Sequence, residues 1–131
     1  MTTRKIGISA VIMASVLVLL GGKAYAEDPA PLPEVPAEYA DKKMPAGWLT
    51  DPKVLAEGAL IYSGEANPQV NCGSCHGKDG KPVKKGARDF RDKAQMGRMS
   101  EAFWFWRVSE GIPKTKMKAW KSQLSEEQIW Q

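Results

Sequence analysis

Both cysteines of this 131-residue chain, and its only histidine, lie within five consecutive positions. Cys72 and Cys75 are three residues apart, and His76 directly follows the second cysteine. Positions i, i+3 and i+4 share one side of a helical turn, so the two thiols and the imidazole can face a single flat ligand. This motif constrains the fold most strongly, because the rest of a small chain must pack around whatever the turn holds.

The pattern C-x-x-C-H is the attachment signature of c-type haem. Thioether bonds from Cys72 and Cys75 would hold the macrocycle, and His76 would bind the iron. A zinc site needs about four ligands, and the sequence has no second Cys/His pair. A redox-active C-x-x-C is expected in a βαβ context that this sequence lacks. A local disulfide between the two cysteines would give the adjacent histidine no role. The motif therefore favours one covalent haem c over these three alternatives.

A haem iron bound by one histidine keeps a sixth coordination position. Four methionines downstream of residue 26 could fill it: Met44, Met96, Met99 and Met117. Methionine usually serves as core filler, but Met117 lies in a stretch without helix signals, where a loop can cross to the far haem face. We therefore predict His76 and Met117 as the axial pair, with Met96 and Met99 as alternatives and Trp120 packing behind the loop.

Capping signals predict three main helices, and no stretch shows sustained strand alternation. The first spans 52–63 after an Asp-Pro start, and the second spans 101–110 after a serine cap. The third begins at Glu126 within a Ser-Glu-Glu-Gln capping box. The predicted class is therefore all-α, a small fold with three main helices around one haem. Because the third helix has only the six residues 126–131, we expect either a longer natural chain or a stub held by packing.

The first 26 residues have the features of a secretory signal peptide. A basic start precedes an apolar run over 6–20, and Ala24-Tyr25-Ala26 matches the small-x-small cleavage pattern. The run is shorter than the roughly 20 residues that span a bilayer, which favours a cleaved signal peptide. The alternative is a retained anchor that keeps the protein in contact with the membrane. Residues 27–47 are rich in Pro, Ala and Glu, which predicts an extended tail or linker, or a segment lying against the domain. We assign 48–131 to the domain and predict export to the periplasm.

The charge balance argues against nucleic acid as a partner. Residues 27–131 carry a net charge of only +1, divided into −5 over 27–75 and +6 over 76–131. The basic residues cluster after the C-x-x-C-H motif and around position 117, as either a solvated surface or a docking face for an acidic redox partner. They are Lys78, Lys81, Lys84, Lys85 and Arg88, and then Lys114, Lys116, Lys118 and Lys121.

From position 52 onwards the sequence resembles the class I c-type cytochromes, monohaem domains with C-x-x-C-H near the start and a methionine ligand near the end. The resemblance rests on five matches: Gly58 with Tyr62, Cys72-Gly73-Ser74-Cys75-His76-Gly77-Lys78-Asp79-Gly80, Asp89-Phe90-Arg91-Asp92, Trp106 to Pro113, and Met117-Lys118-Ala119-Trp120, where the family has Pro in place of Lys118. It implies the small cytochrome c fold, a crossing of the first helix with the last at the face of Gly58 and Tyr62, a His/Met haem and a backbone carbonyl partner for the histidine. Pro82 is the candidate for that partner.

These features predict an electron carrier rather than an enzyme, moving single electrons between a dehydrogenase or carrier and an oxidase or reductase. One alternative is a cytochrome subunit of a larger redox complex, such as one linked to an alcohol or methanol dehydrogenase. The other is a haem enzyme or sensor with an open sixth position. The aromatic run Phe103-Trp104-Phe105-Trp106 is expected to wall the haem or to expose a ring for docking. The wall would consist of Phe103 with Trp106, or of Trp106 with Phe105 and Val108.

Overall fold

The computed structural model describes residues 30–131, so the predicted signal peptide lies outside the described part of the chain. No strand occurs among these residues, which confirms the all-α class, and no helix there is long and apolar enough to cross a membrane. Two 3-10 turns and five α-helices follow one another: Ala37–Tyr39, Trp48–Thr50, α1 (Pro52–Ser63), α2 (Gly73–His76), α3 (Lys93–Met96), α4 (Glu101–Glu110) and α5 (Glu126–Trp130).

Side-chain caps start the three main helices where the sequence predicts them. The Asp51 carboxylate accepts the backbone N–H of Lys53 at 2.8 Å, and the Ser100 hydroxyl accepts that of Phe103 at 3.1 Å. At α5 the predicted capping box is complete. The short helix α3 was not predicted, because four residues are too few for a hydrophobic period to show.

The core lies where α1, α5 and the chain after α4 meet. α1 crosses α5 at Gly58, where a Cβ atom would come within 2.1 Å of the Gln131 carbonyl oxygen. Only a glycine therefore allows this close approach. Beside the crossing, a buried apolar cluster forms the core on which the C-x-x-C-H turn rests; its members are Ile61, Val70 and Leu124, with Cys72, Val108, Trp120 and Ile129 packed against them.

Residues 37–44, here called the N-terminal segment, do not form the extended tether that was one expectation for 27–47. The Tyr39 hydroxyl donates a hydrogen bond to Glu110 at the end of α4. The Lys42 ammonium pairs with Glu126 of α5 at 2.7 Å. These contacts hold the N-terminal segment against the domain, because both polar groups find their partners on α4 and α5.

Candidate haem-binding site

The C-x-x-C-H motif forms the single turn of α2. The Asn71 side chain accepts the Ser74 N–H at 2.8 Å and starts this turn. The His76 N–H donates to the Cys72 carbonyl at 2.9 Å, which closes it. The structure thus brings Cys72, Cys75 and His76 together on one helical turn, with both cysteines as half-buried free thiols.

The Cys72 thiol lies on the inner side of this turn. Cys72 packs against the core cluster of Ile61, Val70 and Leu124. Burial raises the pKa of the Cys72 thiol, so the group is protonated at neutral pH. A neutral thiol in an apolar setting suits a covalent attachment point that faces the interior.

The His76 ring is oriented by a backbone carbonyl. Its Nδ1 atom lies 3.1 Å from the carbonyl oxygen of Arg88. Because a carbonyl can only accept, Nδ1 carries the proton, and the lone pair of the neutral ring is left on Nε2. That is the tautomer a metal-binding histidine needs, and the hydrogen bond also fixes the ring and raises its basicity.

The expectation that Pro82 supplies this carbonyl is wrong. The N–H groups of Val83 and Lys84 both donate to the Cys75 carbonyl, at 3.0 and 3.2 Å. These bonds hold the chain after Pro82 alongside Cys75 instead of beside the imidazole. The backbone reaches the His76 ring six positions later, at Arg88.

An aromatic stack supports the imidazole. The Phe90 ring lies parallel to the His76 ring, with centroids 4.3 Å apart and an interplanar angle of 11°. Trp104 of α4 meets Phe90 edge-on at 6.1 Å. In the sequence, Phe90 is marked only as part of a family motif, whereas its contact with His76 gives it a role in holding the imidazole ring.

The four aromatic residues on α4 differ in their burial. Phe103 and Phe105 are buried, whereas Trp104 and Trp106 are half-buried. Trp104, which neither predicted set included, is the member joined through Phe90 to His76. Trp106 is instead covered by the Arg107 guanidinium, 3.7 Å from its ring centroid.

The backbone just after His76 makes a sharp turn that requires glycine. Gly77 has φ +77° and ψ 156°, and a Cβ atom there would lie 1.9 Å from the Lys81 carbonyl oxygen. The Tyr62 hydroxyl of α1 donates to the Gly77 carbonyl at 2.6 Å. α1 therefore contacts both ends of the motif: its Ile61 belongs to the core cluster that Cys72 packs against, and its Tyr62 binds the residue that follows His76.

Met117 lies half-buried in the loop between α4 and α5. Its carbonyl accepts the Ile112 N–H at 3.0 Å, and its N–H donates to the Thr115 hydroxyl at 3.1 Å. Trp120 packs against the core cluster behind this loop. The alternatives lie elsewhere: Met99 is buried at the start of α4, and Met96 ends α3.

The lysines of the two basic groups point to solvent. Lys78, Lys81, Lys84 and Lys85 are exposed, as are Lys114, Lys116 and Lys118. Within residues 30–131 none of these seven forms a salt bridge, whereas Lys121 pairs with Glu110 at 2.6 Å. Their charges are therefore not neutralised by a neighbouring carboxylate at contact distance.

The donor set fits a covalently bound haem. Two thiols stand three residues apart on one turn, and the adjacent imidazole directs its free nitrogen away from the Arg88 carbonyl. Such a group supplies one-electron exchange between ferrous and ferric iron. Across residues 30–131 no three His, Cys, Asp or Glu side chains are gathered as a metal site would need, so a zinc site has no ligand set there.

This all-α fold and its C-x-x-C-H turn define a c-type cytochrome domain. The family described as cytochrome c oxidase, cbb3-type, subunit III matches residues 57–131, and the chain belongs to it. A search of curated proteins finds none that matches this chain. Membership implies electron transfer through covalently bound haem c.

Proposed function

We propose that this protein carries one haem c, attached through Cys72 and Cys75, with His76 and Met117 as the axial ligands of the iron. The observation that carries the proposal is the hydrogen bond between His76 Nδ1 and the Arg88 carbonyl, which leaves Nε2 for iron. Thioether and imidazole ligation stabilises the ferrous state, and with the sixth position filled the iron has no open site for a substrate. The protein then acts as an electron carrier, and not as an enzyme.

Support for Met117 comes from the loop that carries it. The backbone N–H of Trp120 donates to the carbonyls of Val108 and Ser109, both at 3.1 Å, so the far end of the loop is fixed on α4. Its near end is fixed by the hydrogen bond that the Ile112 N–H donates to the Met117 carbonyl. A loop held at both ends presents a ligand with little loss of conformational entropy on binding.

We further propose that the carrier works outside the cytoplasm, in the periplasm, after cleavage before Glu27. The small-x-small site at Ala24 to Ala26 and the export typical of cytochrome c domains support this placement. Its partners are a dehydrogenase or carrier on one side and an oxidase or reductase on the other. The exposed unpaired lysines favour partners that are acidic at the docking face.

The docking proposal is tested by reversing two charges on the ligand loop. Lys114→Glu with Lys116→Glu is expected to slow electron transfer to an acidic redox protein about tenfold at low ionic strength, because complementary charge mainly sets the association rate. The difference should shrink as salt rises, since screening acts over about 8 Å at physiological ionic strength. Stopped-flow mixing over a salt series measures both effects.

The matched control is Lys43→Glu with Lys53→Glu. It reverses two charges on exposed lysines that lie outside both basic groups. It should leave the rate within about twofold if docking is confined to the two basic groups, because screening limits the reach of an exposed charge to about 8 Å. Equal slowing in both variants, or a rate of the unmodified protein that does not change with salt, would overturn a docking role for the loop lysines.

Lys114 offers a sharper version of this test. It has φ +61° and is the one residue other than glycine with positive φ in the described chain. A side chain kept in such a conformation costs roughly 1 kcal/mol, and such strain is often found where function requires it. Lys114→Gly should therefore stabilise the protein by about that amount in a denaturant titration while slowing association with the acidic partner. If stability falls instead, the Lys114 backbone is not strained, and if association is unchanged, Lys114 has no docking role.

A second candidate function is a cytochrome subunit of a larger redox complex. The observation that favours it is the description of the matched family, which names an oxidase subunit. Affinity purification of the tagged protein from its own host separates the two. Recovery in a stoichiometric complex with an oxidase or dehydrogenase supports the subunit, and recovery alone supports the shuttle.

A further inference from the structure

Glu110, the last residue of α4, joins two parts of the chain that are remote in sequence. Its carboxylate accepts a hydrogen bond from the Tyr39 hydroxyl of the N-terminal segment and another from the Lys121 ammonium, the latter at 2.6 Å. Lys121 and then Tyr39 lower the pKa of Glu110. The same bond raises the pKa of Tyr39 to about 12, so the phenol stays a donor at neutral pH.

Lys121 closes the loop that carries Met117. Its backbone N–H donates to the Ser109 carbonyl at 3.2 Å, one residue before Glu110. At the opposite end of the loop, Gly111 lies so close beneath it that a Cβ atom would come within 2.5 Å of the Met117 carbonyl oxygen. Backbone contacts and the Lys121 side chain thus fasten the loop to the end of α4.

Tyr39, which donates to Glu110 at the end of α4, lies outside the part of the chain that the family matches. That part is residues 57–131, and Tyr39 precedes it. Its ring is also held in place, 6.2 Å from the ring of Phe105. The N-terminal segment therefore reaches the ligand loop through one side chain, Tyr39, and one intermediary carboxylate, Glu110.

We propose that Tyr39 is a positioning residue that, through Glu110 and Lys121, holds the 111–121 loop against α4 and so slows detachment of the Met117 sulfur from the iron. The inference rests on the proposed ligand role of Met117. Its physical basis is that a carboxylate ordered by one donor presents a fixed acceptor to the second, so the two hydrogen bonds reinforce each other. Removing Tyr39 leaves Glu110 free to turn towards water and weakens the attachment of Lys121.

The test is the rate at which cyanide replaces the sulfur in the oxidised holoprotein. Tyr39→Phe keeps the ring and removes the hydroxyl, and we expect cyanide to bind roughly five- to tenfold faster. This is less than the roughly tenfold or more that loss of one hydrogen bond to a charged group can produce, because Tyr39 acts on the loop only through Glu110 and Lys121. The weak far-red sulfur-to-iron band should persist before cyanide is added, because the ligand itself is unchanged. Stopped-flow absorbance follows both signals.

Lys42→Met is the matched control. It removes the ion pair of the same N-terminal segment with Glu126 and leaves Glu110 untouched. We expect this variant to bind cyanide at the rate of the unmodified protein, even if its thermal midpoint falls as far as that of Tyr39→Phe. A role in overall stability alone would instead raise the cyanide rate in both variants.

Coupling through Glu110 is tested by combining variants. Lys121→Met should also speed cyanide binding. Relative to the unmodified protein, the Tyr39→Phe/Lys121→Met double variant should bind cyanide faster by a factor smaller than the product of the two single-variant factors. Independent, multiplicative effects would overturn the route through Glu110. If Tyr39→Phe does not yield holoprotein, Glu110→Ala against Lys42→Met tests the same route, because it removes the acceptor of both hydrogen bonds. A cyanide rate that Glu110→Ala leaves unchanged would overturn the proposal.

Failure of this inference is distinguishable from failure of the ligand assignment. If Met117→Ala keeps the far-red band, Met117 is not the ligand and the proposal about Tyr39 falls with it. If Met117→Ala abolishes the band but Tyr39→Phe binds cyanide at the unmodified rate, the ligand assignment stands and the positioning role of Tyr39 is wrong.

Discussion

Replacing Met117 with alanine is expected to abolish the weak far-red sulfur-to-iron band of the oxidised protein and to open the iron to carbon monoxide and cyanide. The reduction potential should fall by on the order of 0.1 V, a modest part of the ~0.8 V range that axial ligands span. The direction follows because a soft thioether stabilises ferrous iron more than water or hydroxide does. Absorption spectra and a redox titration measure both effects.

Met96→Ala and Met99→Ala are the matched controls. Met96 is half-buried in α3 and Met99 is buried before α4, so the second change should lower stability by about 2–5 kcal/mol. Neither should move the far-red band or the potential. A spectrum unchanged by Met117→Ala, or ready carbon monoxide binding by the unmodified protein, would contradict the carrier and favour the open-site enzyme or sensor.

Gly77→Ala should cost several kcal/mol and is expected to prevent accumulation of folded holoprotein. Its φ of +77° with ψ of 156° is a conformation that is essentially confined to glycine, at about 1–3 kcal/mol for any other residue. The added Cβ would also stand 1.9 Å from the Lys81 carbonyl, so the backbone directly after His76 has to move. Haem content and a chemical denaturation curve report the loss.

Gly86→Ala separates the two contributions. Gly86 has φ +89°, but a Cβ atom there would meet nothing within 4 Å. We expect this change to cost only about 1 kcal/mol, the strain of the left-handed backbone, and to leave haem attachment intact. Equal losses in the two variants would mean that the contact with Lys81 is unimportant.

Local signals were enough to predict the three main helices and the C-x-x-C-H turn. Asp51, Ser100 and Ser125 cap helices by accepting hydrogen bonds from N–H groups two or three residues later. The capping signal can therefore be recognised from a few consecutive residues. The turn of Cys72, Cys75 and His76 is equally local. Family resemblance added the expectation that α1 is approached closely at Gly58, which the structure confirms as the crossing with α5.

The remaining features depend on contacts that no local pattern encodes. Every residue has a backbone carbonyl, so nothing in the side chain of Arg88 marks it as the partner of His76. The hydrogen bond from Tyr39 to Glu110 joins positions 71 apart in sequence. A proline-rich composition allows an extended segment or one lying against the domain, and it does not identify the residues that would be contacted. On α4, four consecutive aromatics carry no helical period, so Trp104 could not be chosen from the sequence.

The most direct test of the central claim, a haem held covalently by Cys72 and Cys75, is the intact mass of protein matured in a host that attaches c-type haem. We predict a single species whose mass is that of the polypeptide from Glu27 plus one haem, with colour that stays with the protein in acid acetone. Cys72→Ser with Cys75→Ser should lose both. A mass equal to the polypeptide alone, or haem that passes into the acetone, would contradict the account.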